Sequence, residues 1–308
     1  MKPVQITIQP TSVALFVAAL GLLAASAQSP TQIQPSRIDG QMSKIQTLTD
    51  EQADILSQMS IVQLDDGLGG LMKTIRFTGV NVQVVNGMGA TESTNGSGNL
   101  IVGYQELGNG IDPDDRTGSH YLIVGRRNNY TSYGGVLVGE QNIGQGRYGS
   151  IYGGRRNRAS GPWSTILGGG QNHASGQEAI VVGGVYNFSA GQSSVVVGGG
   201  GNKAVSPGGG GTANGAVVLG GNNNTARAQN SVIVGGQNND TTANNSAILA
   251  GTNNECFGDS QGGGSYCAIV GGDGNFTSNV DAATVSGGLN RSALGANDWV
   301  GGSLFEDN

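Results

Sequence analysis

Few side chains of the kinds that perform catalytic chemistry occur in this 308-residue sequence. The two histidines, His120 and His173, stand 53 residues apart, so we expect no imidazole pair for general acid/base work. The carboxylates of Glu140, Glu178 and the Asp112 loop are scattered, whereas a glycosidase needs two that flank one bond. We therefore predict no catalytic residues and no enzyme, with a polysaccharide-active solenoid enzyme of tailspike or lyase type as an alternative.

Metal and cofactor motifs are equally sparse. Asp112, Asp114 and Asp115 offer carboxylates that suit Ca²⁺, although three such groups in a loop are more often solvated. The glycine strings 208–211 and 262–264 lack the Lys-Ser/Thr of a phosphate-binding loop. We predict no cofactor and no metal.

Cys256 and Cys267 are the only cysteines, and they flank an insertion at 257–266. In an exported protein, a disulfide that closes this loop is the expected chemistry. The alternative is that both are small buried residues.

Six arginines fall within three consecutive units of the repeat described below: Arg126, Arg127, Arg147, Arg155, Arg156 and Arg158. Repeated on several copies of the chain, they could bind a sulfated or acidic glycan. The alternative is a ladder of salt bridges, because Glu140 stands between Arg126 and Arg155 in the same column.

The composition indicates a repeat protein. Glycine accounts for 57 residues and charged residues for only 12%, which is unusual for a globular enzyme. Collagen would require a strict three-residue glycine period and far more than the 7 prolines present. The formal net charge of −6 argues against general nucleic-acid binding.

The first residues resemble an export signal. Lys2 precedes an apolar run at 13–23, and Ala25-Ser26-Ala27 fits the small-residue cleavage rule, so residues 1–27 are predicted to be a signal peptide and 28–37 a linker. The apolar run is too short to span a membrane, and no later run would cross one. We expect a secreted or cell-surface protein, with the periplasm as a third location.

A heptad pattern occupies residues 38–65. Positions 38, 41, 45, 48, 52, 55, 59 and 62 alternate steps of three and four, and six of the eight are apolar. Isoleucine at both a and d positions favours three strands, so this segment is predicted to be a trimeric coiled coil. Alternating apolar residues from Ile75 to Val84 then predict a small β neck at 66–98.

A repeat of about 15 residues covers 99–302. Blocks of the Val-Ile-Val-Gly-Gly type place a glycine, here termed the repeat glycine, at 103, 125, 139, 154, 169, 184, 199, 221, 236, 251, 272, 287 and 302. Eight of the intervals equal 15 residues. This spacing predicts a parallel β-solenoid of 13 turns with three inserted loops, followed by a tail at 303–308.

Two columns of the repeat indicate how each turn is built. Asparagine stands three residues after most repeat glycines: Asn128, Asn142, Asn157, Asn172, Asn187, Asn202, Asn224, Asn239, Asn254, Asn275 and Asn290. We expect this asparagine ladder to adopt left-handed backbone at a corner. Five residues after the glycine the side chain is small, from Ala159 to Ser292, as a narrow interior requires.

Bulky apolar residues stand both two and three residues before the repeat glycine. Adjacent strand residues point to opposite faces, so one column fills the coil and the other needs a separate cover. An exposed apolar stripe of this length is rare on a monomer. Together with the heptads, the stripe predicts a parallel homotrimer.

The aligned units resemble the head repeats of YadA-like trimeric autotransporter adhesins. This resemblance implies a left-handed parallel β-roll and an adhesive role at a surface, on glycans or matrix proteins. It covers the head alone; we expect no membrane-anchoring barrel. The family's unit is usually nearer 14 residues, and its heads precede the stalk, whereas here the heptads come first.

The sequence thus predicts a non-enzymatic, exported, trimeric adhesin or structural module without nucleic-acid partners. Ice binding is a second alternative to this function. It would need a regular threonine array, and Thr225, Thr241, Thr242 and Thr277 form no continuous column.

Overall fold

The computed structural model describes residues 5–6, 49–205, 213–258, 266–279 and 281–301. The predicted linker, the tail and most of the signal peptide lie outside these residues, as does the part of the heptad segment before residue 49. The chain divides into two compact units, 1–83 and 84–308.

The first unit contains a helix and a small antiparallel sheet. Residues 49–57 are α-helical, and the strands are Gln5–Ile6 (β1), Met59–Asp65 (β2) and Leu71–Phe77 (β3), in the order β1-β2-β3. In the hairpin, Ile61 of β2 faces Ile75 of β3. β1 consists of two residues of the predicted signal peptide.

The coiled-coil prediction is wrong for residues 59–65, which form β2 instead of continuing the helix. The cause lies in the turn that follows: the Asp66 carboxylate accepts hydrogen bonds from the N–H groups of Leu68 and Gly70, both at 2.8 Å. These bonds lower the pKa of Asp66. Gly67 and Gly69 supply left-handed backbone, so the chain reverses and β2 pairs with β3.

The second unit is a parallel β-solenoid built from two sheets. The first sheet has 13 strands: Leu100–Val102 (β4), Leu122–Arg126 (β5), Val136–Glu140 (β7), Ser150–Ile151 (β9), Thr165–Ile166 (β11), Ile180–Val181 (β13), Val195–Val196 (β15), Val217–Val218 (β17), Val232–Ile233 (β19), Ala247–Ile248 (β21), Ala268–Ile269 (β23), Thr284–Val285 (β25) and Trp299–Val300 (β27). The second has 11 strands: Asn129–Tyr130 (β6), Ile143–Gly144 (β8), Arg158–Ala159 (β10), His173–Ala174 (β12), Phe188–Ser189 (β14), Lys203–Ala204 (β16), Thr225–Ala226 (β18), Asp240–Thr241 (β20), Glu255–Cys256 (β22), Phe276–Thr277 (β24) and Ser292–Ala293 (β26).

The prediction of an all-β parallel β-solenoid is confirmed, but the number of turns is lower than predicted. A complete turn needs a strand in each sheet, and the second sheet has 11 strands, so the solenoid has about 11 turns instead of 13. β4 is followed by the first insertion, and β27 is the last strand described, so neither has a partner strand in the second sheet.

The interior is filled by one bulky column from the first sheet and one small column from the second. Ile151, Ile166 and Val181 are fully buried, and so are Ala159 and Ala174 opposite them. This pairing of large and small side chains fills a narrow coil without voids.

Most repeat units contain one residue more than the 14-residue unit between Gly125 and Gly139. Leu137 pairs with Ile151 while Glu140 bridges Arg155, so the segment before the repeat glycine lengthens by one residue between these turns. The inward side chain therefore changes from two residues before the glycine, as at Leu137, to three residues before it. This residue accounts for units of 15 instead of 14.

A second extra residue, which lies between Thr277 and Val285, shifts the register of the last turns. Ile269 pairs with Val285 and Asp273 bridges Leu289, so Gly288 and not Gly287 is the structural repeat glycine. Ala293, in place of the predicted Ser292, accordingly occupies the small interior column.

The asparagine ladder runs through one corner of every turn from Asn128 to Asn275. The Asn187 Oδ1 accepts from the Asn202 N–H at 3.0 Å, and its Nδ2 donates to the carbonyls of Gly183 and Gly199. The same contacts recur along the column, and every member is buried. The ladder thus hydrogen-bonds each turn to the next.

Two details of the ladder differ from the prediction. Asn290 is exposed and lies outside it; the N–H of Arg291 takes that place, because of the extra residue before Gly288. The left-handed residue at this corner is the one before each asparagine, for example Arg156 before Asn157 at φ +57°.

Candidate functional site

Long side chains occupy the left-handed corner position in the first turns only. We define the corner column as the residue before each ladder asparagine, with Asn290 as its last member. Its members are Arg127, Gln141, Arg156, Gln171 and Tyr186, and then Gly201, Asn223, Asn238, Asn253, Gly274 and Asn290, all with positive φ. Glycine and asparagine adopt this backbone with little strain, whereas arginine, glutamine and tyrosine do so at a cost. The strained backbone of the first five members therefore indicates that their side chains serve a purpose other than forming the corner.

Charged groups surround this corner and are only partly paired. Glu140 accepts from Arg126 at 3.1 Å and lies 3.9 Å from Arg127, so the predicted salt-bridge ladder is present only in its step from Arg126 to Glu140. Arg155 and Arg156 instead direct their Nε atoms at the neutral Gln141 Oε1, at 2.9 and 3.2 Å. Within the described parts of the chain, no carboxylate lies within salt-bridge distance of Arg155 or Arg156.

A groove of about 430 Å³ adjoins the corner. It is lined by Gly110, Ile111, Arg156, Arg158, Gln171, Asn172, His173 and Tyr186. Arg158 forms a salt bridge with Asp112 and donates to the Gln145 Oε1 at 3.0 Å. The first insertion, which carries Gly110 to Asp112, therefore forms one wall, and three successive turns form the floor.

His173 lies in the groove as a neutral side chain. Its ring stacks on Phe188, with the ring centres 4.9 Å apart, and its Nε2 is 2.7 Å from the Ser160 Oγ. Burial, followed by the positive charge of Arg158, lowers the pKa of His173 to about 4. The ring therefore contributes a hydrogen-bonding surface at neutral pH and no charge.

His120 lies elsewhere and has structural partners. Its Nδ1 is 3.0 Å from the Thr91 carbonyl, and its Nε2 accepts from the Asn86 N–H at 3.3 Å. The two histidines are not brought together.

Arg147 does not belong to the cluster of arginines. Its guanidinium lies 4.4 Å from the centre of the Trp163 ring, and Trp163 stacks on Tyr148. These residues occupy the other left-handed corner, where Tyr148 and Trp163 have φ values of +57° and +54°. The six predicted arginines thus divide into five at one corner and one at the other.

The two cysteines occupy facing positions inside one turn. Both are buried, and their sulfurs are not bonded to each other in the structure, so the disulfide remains a prediction. Ser189 and Ser194 hold the equivalent positions four turns earlier, with their Oγ atoms 2.7 Å apart. Burial raises the pKa of the Cys256 thiol, with a smaller contribution from Cys267.

The carboxylates of the first insertion stabilise the loop itself. Asp114 accepts from the N–H groups of Gly108 and Asn109, and Asp115 accepts from Thr117. The two backbone bonds lower the pKa of Asp114. Among the residues that the structure describes, no three His, Cys, Asp or Glu side chains are placed to hold a metal ion.

The carboxylates considered for an enzyme have separate partners. Glu140 contacts arginines at the first corner, Asp112 contacts Arg158, and Glu178 accepts from Ser193 at 3.0 Å. Among the residues that the structure describes, none of these three carboxylates therefore lies in a pair of the kind that glycoside hydrolysis uses.

A flat apolar surface covers the outside of the first sheet. We define the apolar face as the outward column Tyr152, Leu167, Val182, Val197, Leu219, Val234, Leu249 and Val270, together with the half-buried column from Thr165 to Ala268. The first column is 38–52% exposed, apart from the less exposed Val197. The face lacks the threonine array that ice binding requires.

Two of the glycines that border the apolar face, Gly168 and Gly235, are not required by their own backbone or by contacts within the chain. At Gly168 and Gly235 an added Cβ would meet nothing within 4 Å, and neither residue has left-handed backbone. The neighbouring repeat glycine Gly169 differs, because its φ is +84° and a Cβ would overlap the Gly184 carbonyl. A side chain is thus excluded at Gly169 but not at Gly168.

A scan against protein-family models and a search of the curated proteins find no match to this chain. No helix among the described residues has the length and apolar character needed to span a membrane.

Proposed function

We propose that this protein is an exported, non-enzymatic β-solenoid that assembles as a homotrimer and acts as a surface adhesin or structural module. The observation that supports this most directly is the apolar face. Its exposed column spans eight successive turns, a distance of about 35 Å at roughly 4.8 Å per turn. A continuous apolar stripe of this size on a monomer is unusual and indicates a partner surface.

The bordering glycines favour a second copy of the chain as that partner. Glycine recurs immediately after most residues of the exposed column; Gly183, Gly198 and Gly220 have positive φ, whereas Gly168 and Gly235 do not, and Ala250 interrupts the series. A column without side chains permits close backbone approach, and identical chains in register would place the same column at every level. Each turn of one chain would then lie beside the equivalent turn of the neighbouring chain.

The resemblance to YadA-like heads supports three chains and an adhesive role. The family's heads are trimeric rolls. Within the proposed trimer the apolar faces lie inside, and the two corners and the second sheet lie outside. The ligand-binding surfaces of the adhesin are therefore the corners and the inserted loops.

Light scattering on the purified full chain tests the assembly. We expect the mass of a trimer, and we expect Leu219→Lys with Val234→Lys to reduce it, since two lysines on each of three chains would bury six positive charges. Gln177→Lys with Gln192→Lys is the matched control, because both glutamines are exposed and lie away from the apolar face. A monodisperse monomer from the unaltered chain would contradict the proposal.

A further inference from the structure

The corner at Arg156 carries an excess of positive charge in an otherwise acidic protein. Five guanidiniums, those of Arg126, Arg127, Arg155, Arg156 and Arg158, surround two carboxylates, Glu140 and Asp112. The chain as a whole carries a formal charge of −6. A local reversal of sign of this kind attracts anions to one place on the surface.

Gln141 holds the two unpaired arginines in fixed positions. Its Oε1 accepts from the Nε atoms of both Arg155 and Arg156, and its Nε2 donates to the Asn109 carbonyl at 2.6 Å. Gln141 is buried, so this arrangement is fixed by the fold. The terminal nitrogens of Arg156 remain at the groove, where a planar guanidinium can bind a carboxylate or sulfate through two hydrogen bonds.

Tyr186 adds an exposed aromatic surface two turns from Arg156. The two residues share the corner column, and their backbones are separated by about 10 Å along the solenoid. The Tyr186 side chain is 62% exposed although its backbone is left-handed, at φ +58°. Later turns place asparagine here, as at Asn223, so the fold itself does not need tyrosine.

We propose that this groove binds an acidic oligosaccharide, with Arg156 contacting a sulfate or carboxylate group and Tyr186 stacking on a sugar ring. Gln171 and His173 lie between the two and offer neutral hydrogen-bonding groups to hydroxyls. The inference rests on the proposed adhesive function and gives it a ligand class. The site lies within one chain, so each chain binds one saccharide.

A nucleic-acid strand fits the same features less well. Binding of single strands uses a positive channel with several aromatic side chains that stack on successive bases. Here the groove has one exposed aromatic ring, and the protein is acidic. We therefore commit to the saccharide.

Calorimetry on the full chain tests the site with four probes: a sulfated heparin tetrasaccharide, a tetragalacturonate, a neutral maltotetraose and a single-stranded oligonucleotide. We expect at least one acidic saccharide to bind and the neutral one not to bind. Arg156→Asn should weaken binding about 10- to 100-fold, as loss of a charged hydrogen bond does. Tyr186→Asn should also weaken it, and asparagine retains the backbone that later turns use.

Lys203→Asn is the matched control, because Lys203 is exposed on the second sheet and its loss removes the same charge. Unchanged affinity in Arg156→Asn, equal binding of maltotetraose, or binding of the oligonucleotide alone would each overturn the inference. Absence of binding by a chain that has the mass of a trimer would also overturn it, while leaving the proposed assembly standing. Binding by a monomeric chain would support the site and contradict the trimer.

Discussion

At the scale of single residues, His173 connects the groove to the pH dependence of stability. Its pKa is about 4 in the folded chain and 6.5 as its ordinary value, so between these values the unfolded chain binds more protons. The free energy of unfolding should therefore fall as the pH is lowered from 6.5 towards 4. The carboxylates of Asp66 and Asp114, whose pKa values are lowered, stop contributing only below about pH 3.8, so the two effects separate.

Denaturant midpoints measured between pH 7 and 4.5 check this prediction. His173→Gln should flatten the decline, because glutamine does not titrate, whereas a substitution at the exposed Gln177 should leave it intact. An identical slope in His173→Gln and the unaltered chain would show that burial of this ring does not govern the pH response.

The cysteine pair is the second residue-scale prediction. Cys256 and Cys267 hold the positions at which the Ser189 and Ser194 hydroxyls meet four turns earlier, so we expect the two sulfurs to lie close together inside one turn. In an oxidising compartment we expect them to form a disulfide. The intact mass of the exported chain should be lower by two hydrogens than that of the reduced chain.

Alkylation of the reduced chain is the comparison for this mass measurement. Because burial raises the pKa of the Cys256 thiol, little thiolate is present, and alkylation should be slow until the chain unfolds. Rapid alkylation of native, exported protein would show that the sulfurs are neither bonded nor enclosed. Cys256→Ser with Cys267→Ser reproduces the serine pair and should fold.

What the sequence predicted at this scale depended on repetition. The asparagine column was recognised because it recurs, although its conformation was assigned to the wrong residue of the corner. Tyr186 and Gln171 were not identified from the sequence as candidate site residues, because the corner column changes residue type along the chain and has no repeated residue. The sequence nevertheless contains a signal for the corner column, because its first members are bulky residues at positions where later turns have asparagine and glycine.

At the scale of elements, two adjacent glycines should behave in opposite ways. Gly168→Ala places a Cβ in open space outside the left-handed region, so in the isolated chain it should be neutral or stabilising by about 0.4–1 kcal/mol. Gly169→Ala meets the Gly184 carbonyl at φ +84° and should be strongly destabilising. Denaturant midpoints of the two variants check this, and equal effects would contradict the register described here.

The element that the sequence predicted wrongly is β2. The heptad spacing continues through Met59 and Val62 by chance, while the β-branched Ile61 and Val62 and the Asp66-Gly67 turn favour a hairpin. Local turn chemistry therefore prevailed over a pattern that still held six apolar positions in eight. The two register shifts could not be read from glycine spacing, because the first extra residue lies beside Gly-Gly, the second lies between Thr277 and Val285, and both leave the Gly-Gly pattern intact.

At the scale of the whole molecule, the solenoid differs along its length. Turns up to Tyr186 carry arginine, glutamine and tyrosine at one left-handed corner and Tyr148, Trp163 and Glu178 at the other, and from Asn223 onward asparagine predominates. The proposed binding groove lies in the first part, and the apolar face extends through both. Recognition is thus confined to a few turns, while assembly would draw on most of them.

Because most repeat units have the same length, the number of units sets the distance between two sites along the solenoid. In the middle of the solenoid each turn hydrogen-bonds to the turns beside it through the same ladder contacts. Gain or loss of one 15-residue unit between the groove and the cysteine pair would move them by about 4.8 Å without altering either. The separation of two sites along the solenoid therefore changes in multiples of one turn, according to the number of units between them.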